Sequence, residues 1–228
     1  SVRLSEKFME AVKNQETFRL HYTREATGEK IEKEVDAKAL FHHIAETNWD
    51  YGEPGALFWD RISSWNLLAN TEEFSYAGVN PCAEEPLPAG GSCLLGSINL
   101  SEFVKNPFTS GAVFDIDSFK SCVRESVRAL NEVLEEGLPL HPLEEQRESV
   151  QQWKQIGLGI MGLADMLMKM ELTYGEEEAI ELCDKIGFAM ADTAIAASAG
   201  LAREKGAYPA CRAEEVMETP FFLQNTTE

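Results

Sequence analysis

Asn80, Cys82 and Glu84 occupy alternate positions in one short run, and Cys93 follows eleven residues after Cys82. If the run is extended, alternate side chains share a face, which sets a thiol between an amide and a carboxylate. A sulfur can take part in one-electron chemistry. A carboxylate can remove a hydroxyl proton, and an amide can both donate hydrogen bonds to a sugar and accept them from it. The same residues also read as a turn built by Asn80 and Pro81 around a small buried thiol. Spacing alone leaves both readings open.

The elements that must carry this run are mostly helical. Residues 5–12 place Phe8, Met9 and Val12 on one face of an amphipathic helix. Residues 18–23 and 31–35 read as two strands joined by a turn at Thr27 and Gly28. Helical spacing returns over 36–47 with Asp36 as N-cap, and again over 56–66 after Gly52 and Gly55 break the chain. Residues 70–97 contain Pro81, Pro86, Pro88 and the Gly90, Gly91 pair with little periodicity, so they read as a long irregular loop. Ordered loops of that length usually carry function.

Beyond the loop, 98–104 lead into a helix over 117–135 striped by Phe119, Val123, Val127, Leu130 and Leu134, with Gly137 as its C-cap. Residues 144–153 read as a charged helix, 156–170 as a small-residue-rich stretch, and 176–205 as one or two long helices capped by Gly206.

Composition narrows the function classes. Twenty basic against 39 acidic side chains give a formal charge of −19, which opposes contact with a nucleic-acid backbone. The stretch 156–170 is interrupted by Asp165 and three glycines, so no membrane span is expected, and with no signal-like start the expected location is the cytoplasm. The five cysteines (Cys82, Cys93, Cys122, Cys183 and Cys211) form an odd set without a C-x-x-C pair, which points to reduced thiols. His42 and His43 have no third ligand in sight, and His21 and His141 are isolated, so no metal site is expected. A chain that starts at Ser1 and ends just after Phe221, Phe222 and Leu223 looks cut at both ends.

The run Asn80-Pro-Cys-Ala-Glu84, then Pro86-Leu-Pro88, then Gly91-Ser-Cys93-Leu-Leu-Gly-Ser-Ile-Asn-Leu100, resembles the active-site segment of ribonucleotide reductase large chains. Gly52-Glu-Pro-Gly-Ala-Leu-Phe-Trp-Asp-Arg61 and Trp153-Lys-Gln-Ile-Gly-Leu-Gly-Ile-Met-Gly-Leu-Ala-Asp165 support it in the family's order, so the similarity spans roughly residues 1–210. The wording is closer to the adenosylcobalamin-dependent class II group. The resemblance implies an α/β fold: residues 1–228 as a helix-rich piece of one ten-stranded catalytic barrel, with about 77–97 as its central finger loop.

It further implies that Cys82 becomes a thiyl radical in a water-poor pocket and takes the 3′ hydrogen of a ribonucleotide. Glu84 removes the 3′-hydroxyl proton and Asn80 holds the ribose. Cys93 is one member of a redox pair whose partner is expected upstream of Ser1, so this chain alone is expected not to turn over. Cys122, Cys183 and Cys211 fall in no family motif. The implied cofactor is adenosylcobalamin, the alternative being a radical supplied by a metal-containing small subunit. The implied partners are a ribonucleoside di- or triphosphate and a thioredoxin- or glutaredoxin-type reductant, with room for a deoxynucleotide effector and a homodimer of the full-length enzyme.

Two other function classes compete. Gly157, Gly159 and Gly162 form a G-x-G-x-x-G, the pattern of a nucleotide-binding module, but a dinucleotide fingerprint needs a hydrophobic strand just before it, and 144–155 is polar and helix-like. The glycines read better as close-packing positions. A non-catalytic helical interaction protein is the other class, and it requires Cys82 to be buried in a loop without an open pocket.

Overall fold

The computed structural model describes residues 1–92 and 94–227, so Cys93 lies outside the described residues. The chain divides into two compact units, Ser1–Asn66 and the remainder from Leu67.

The first unit runs β1 (Val2–Leu4), α1 (Glu6–Asn14), β2 (Thr17–Thr23), β3 (Lys30–Asp36), α2 (Ala37–Tyr51), β4 (Ala56–Phe58) and α3 (Trp59–Ser64). Each longer helix starts where a side chain meets an orphan amide. Ser5 Oγ accepts from the Phe8 N–H at 3.1 Å, and Asp36 Oδ1 accepts from the Ala39 N–H at 2.8 Å. α2 stops at Gly52, whose φ of 70° suits glycine. β2 and β3 pair antiparallel from Thr17↔Asp36 to Thr23↔Lys30, as the sequence pattern predicts. Leu4, Phe8, Ala11 and Ala37 form the core, with Phe18 edge-on to Phe8 at 5.1 Å.

Residues 56–66 are not one helix. Ala56–Phe58 is a strand parallel to β1, and only Trp59–Ser64 is helical. The strand wins because a partner is available: Leu57 is buried, the Arg3 guanidinium stacks 3.8 Å over Trp59, and Asp60 Oδ2 accepts from the Glu6 N–H at 2.6 Å.

The second unit contains β5 (Gly78–Val79), β6 (Pro86–Leu87), β7 (Leu95–Asn99), β8 (Val104–Lys105), β9 (Val113–Phe114), α4 (Ile116–Gly137), α5 (Glu144–Trp153), β10 (Gly157–Met161), α6 (Leu163–Lys169), α7 (Glu177–Lys205), α8 (Ala213–Met217) and α9 (Pro220–Asn225). All five predicted stripe residues of α4 are buried, and α4 packs against both α7 and β7. Gly96 in β7 makes the second contact close, because a Cβ there would already sit 3.5 Å from the Leu130 methyls. Ile98, Leu100, Phe119, Val123, Met166, Leu167, Ala179 and Ile186 form the core. α7 is a single helix, and the small-residue stretch splits into β10 and α6.

Two further expectations need correction. Gly137 does not cap α4 in a left-handed conformation; at φ −74°, ψ −25° it is the last right-handed residue before a 3-10 turn over Leu138–Leu140. The described strands form five two-stranded sheets and no closed ten-stranded barrel. Mixed α/β content holds, and β7 and β10 are parallel with α4 and α5 between them in sequence, which is a β-α-β connection. A barrel wall needs a neighbour on both edges of each strand, and within these residues β7 and β10 have only each other.

Candidate active site

Asn80, Cys82 and Glu84 share the tip of a small hairpin. β5 and β6 pair as Gly78↔Leu87 and Val79↔Pro86, and the next pair is Asn80 with Glu85, whose carbonyl accepts from the Asn80 N–H at 3.2 Å. The tip then turns sharply. The Asn80 carbonyl rotates to accept from the Ala83 N–H at 3.0 Å, and Ala83 takes a left-handed φ of 66°. The Glu85 N–H is therefore met by the Asn80 side chain, whose Oδ1 accepts at 3.2 Å. Asn80 thus closes the four-residue tip from Pro81 to Glu84 with its backbone and its side chain together.

The tip is a turn and not the extended run that would align the three side chains. Pro81 favours this because its ring presets φ for the second position of a turn. The buried-thiol half of the turn reading fails, however, since Cys82 and Glu84 are exposed and Asn80 is half-buried. That exposure also removes the condition set by a non-catalytic interaction protein, and it differs from the water-poor pocket the family resemblance implies. Neither of two surface clefts, of about 320 and 260 Å³, is lined by Cys82.

Aromatic and glycine contacts hold the base of the loop. Phe74 lies edge-on to both Tyr76 and Trp153 of α5, at 5.1 and 5.0 Å. Gly90, at φ +69°, fits where a Cβ would stand 2.7 Å from the Glu145 carbonyl oxygen. Gly157 does the same at β10: a Cβ would meet Leu95 Cδ2 at 2.5 Å and Glu85 Oε1 at 2.8 Å. Burial pushes the half-buried Tyr76 phenol above its ordinary range, and the nearby Glu85 carboxylate pushes it further.

Of the remaining thiols, Cys122 sits 3.9 Å from Ser126 Oγ within α4, and Cys183 is half-buried in α7. Cys211 is half-buried beside Tyr208, whose phenol is pushed well up, first by burial and then by Cys211. Cys93, the expected redox residue, lies outside the described residues.

The family model described as "Ribonucleotide reductase, barrel domain" matches residues 1–225. The chain belongs to the ribonucleotide reductase barrel-domain family. Among similar curated proteins is a vitamin B12-dependent ribonucleoside-diphosphate reductase of Thermoplasma acidophilum, 34% identical over 87% of this chain and 25% of that protein. One of the same name from Mycobacterium tuberculosis is 34% identical over 92% of the chain and 28% of its own length. A vitamin B12-dependent ribonucleotide reductase of Streptomyces coelicolor is 33% identical over 91% and 21%. The chain therefore spans about a quarter of the length of these relatives.

In this ribonucleotide reductase barrel-domain chain, the G-x-G-x-x-G run has a structural use. Gly157 and Gly159 lie inside β10 and only Gly162 is at a strand-to-helix turn, whereas a dinucleotide fingerprint places its glycines after the strand. Gly162, at φ +71°, leaves room for Asn99 Oδ1, which accepts from the Ser101 N–H at 3.2 Å. Glycines as close-packing positions is the reading this geometry supports. What motif reading missed is Glu85 and Tyr76. Glu85 could have been noticed as a second carboxylate beside Glu84, but its contact with Gly157 joins residues 72 positions apart.

Proposed function

We propose that this chain is the catalytic segment of a ribonucleotide reductase, an oxidoreductase that converts ribonucleotides to 2′-deoxyribonucleotides with Cys82 as its thiyl-radical site. The observation that carries the reading is an accessible thiol at the apex of a closed hairpin tip, flanked by an amide and a carboxylate, in a chain of this family.

In this reading the Cys82 thiyl takes the hydrogen from C3′, which re-forms S–H and leaves a carbon radical. Glu84 accepts the 3′-hydroxyl proton, and Asn80 donates to the sugar through Nδ2, because its Oδ1 is engaged by Glu85. The 2′-hydroxyl leaves as water with a proton from a thiol pair. Cys93 and a second cysteine of the longer protein become a disulfide, supplying the two electrons and the hydrogen that replaces the hydroxyl at C2′. Glu84 returns its proton to the 3′ oxygen, and Cys82 returns its hydrogen to C3′, which restores the thiyl.

In the full-length protein β7 and β10 contribute to a ten-stranded α/β barrel, with 77–97 as the finger loop and 1–228 within one catalytic domain. The enclosing, water-poor wall around Cys82 comes from other segments of that protein. Adenosylcobalamin is the proposed radical source, supported by the names of the relatives above; a metal-containing small subunit is the alternative. The described residues do not fit a corrin ring, since the two clefts are small and neither includes the tip. Its binding walls are therefore assigned to the longer protein. The proposed partners are a ribonucleoside di- or triphosphate, a thioredoxin- or glutaredoxin-type reductant, a deoxynucleotide effector and a second copy of the enzyme, in the cytoplasm. Among the described residues no helix is long and apolar enough to cross a membrane.

The test is Cys82→Ser in the full-length protein, assayed with adenosylcobalamin and no second protein. Deoxynucleotide formation is expected to vanish while nucleotide binding stays. Surviving turnover overturns the assignment. If the unsubstituted enzyme is inactive until a second protein is added, the radical source is the small subunit.

A further inference from the structure

The hairpin that presents Cys82 has only two residues in each strand, too few to hold a four-residue tip in one orientation by ladder hydrogen bonds alone. Radical transfer from sulfur to a substrate carbon needs the two atoms aligned to within fractions of an ångström. Something must fix the tip to the rest of the unit.

Glu85 is the residue that touches both sides. Its carbonyl and its N–H each bond Asn80, at 3.2 Å in both cases, and so close the tip. Its carboxylate reaches out of the hairpin to β10 and packs at Gly157, the first of the two glycines in that strand. A Cβ at Gly157 would come 2.8 Å from Oε1 and 3.1 Å from Cδ. β10 in turn is tied to the strand that follows the loop, through the parallel pairs Gly157↔Leu95 to Met161↔Asn99 and the Gly157 N–H bonded to the Leu94 carbonyl at 2.8 Å. The loop is thus clasped to a strand pair beneath it.

We propose that Glu85 is the positioning residue of the Cys82 tip: its backbone closes the tip on Asn80, and its carboxylate docks the closed tip onto β10 at Gly157. This rests on the reading of Cys82 as the reacting sulfur. The half-buried Tyr76 phenol is pushed up first by burial and then by the charge of the same carboxylate. Glycine at 157 and an acidic side chain at 85 are one device, since either a larger residue at the first or a shorter one at the second undoes the dock.

The experiment uses the full-length enzyme with Glu85→Ala, Glu85→Gln, Gly157→Ala and the Glu85→Ala/Gly157→Ala double variant. Two quantities are read: the kcat and KM split, and the rate at which iodoacetamide alkylates Cys82, resolved by peptide mass. Glu85→Ala and Gly157→Ala are each expected to lower kcat roughly tenfold or more, with KM within about twofold, because a misplacement near 1 Å acts on the chemical step. Each should change Cys82 alkylation by about threefold or more, with the double variant no worse than the worse single, as coupled sites require. Glu85→Gln, which keeps the shape, should stay nearest the parent. Additive effects in the double variant, or unchanged Cys82 alkylation in Glu85→Ala, overturn the proposal. Gly157→Ala also meets Leu95, so if it fails to fold, Glu85→Ala decides the matter, since it leaves β10 untouched. Alkylation does not depend on turnover, so a failed dock and a failed reaction assignment give different results.

Discussion

Asn80 is given two tasks, closing the tip through Oδ1 and holding the sugar through Nδ2, and two substitutions separate them. Asn80→Ala removes the acceptor that lies 3.2 Å from the Glu85 amide. The Asn80 carbonyl does not replace it, because it is turned to Ala83 at 3.0 Å. The site is half-buried, so water satisfies part of the lost bond, and the net loss is that of an ordinary hydrogen bond, about 0.5–1.5 kcal/mol. With RT near 0.59 kcal/mol that is roughly a 2- to 13-fold rise in the opening equilibrium of the tip. Amide hydrogen exchange at Glu85 in the full-length protein reads this directly.

Asn80→Asp keeps an oxygen acceptor at the same place and loses both Nδ2 donors. It should retain the parent's exchange rate at Glu85, yet lose turnover as Asn80→Ala does. If exchange at Glu85 accelerates equally in both variants, or in neither, Oδ1 is not what closes the tip.

Two further outcomes test the frame around the site. Phe119 is fully buried and edge-on to Phe103 and Phe114, both at 5.5 Å, so Phe119→Ala should cost about 3–5 kcal/mol, measured as a fall in denaturation midpoint; a loss under about 1 kcal/mol would contradict the packing described. Glu135 accepts from Lys154 and Lys205, whose hydrogen bonds hold its carboxyl down at about 2 against an ordinary 4.5. A depressed carboxyl stabilises the fold above its ordinary value and stops doing so as pH falls through its folded one. The stability gap between the parent and Glu135→Gln should therefore be full at pH 6 and close between about 4.5 and 2. A gap that does not change with pH would show that the two lysines do not act on Glu135 as an ion.

How much of this was legible in the chain depends on the range of the forces involved. Helices α1, α2 and α4 were readable because their signals are local: a capping side chain three residues before its amide, and an apolar stripe repeating every turn. α5 and α7 have no capping side chain and were read from helix-favouring composition. Strands of two or three residues have no such signature. Ala56–Phe58 carries the same apolar residues a helix would use, and it is a strand because Val2–Leu4 lies beside it, 54 positions away. β10 hides for the same reason, its glycines reading as a loop until Leu95–Asn99 supplies the ladder.

The site divides along the same line. The roles proposed for Asn80, Cys82 and Glu84 come from residue type and family resemblance, whereas the turn was legible in the chain, because Pro81 already favoured it. That the turn wins over the extended run follows from one exchange of partners. The Asn80 carbonyl satisfies Ala83, and its side chain takes over the carbonyl's place opposite Glu85. An alanine at 80 could close only one of those bonds, and an aspartate could close both but could not also donate to a sugar. Asparagine meets both demands of the proposed reading: its Oδ1 closes the tip, and its Nδ2 is left as the donor that the reading assigns to the sugar.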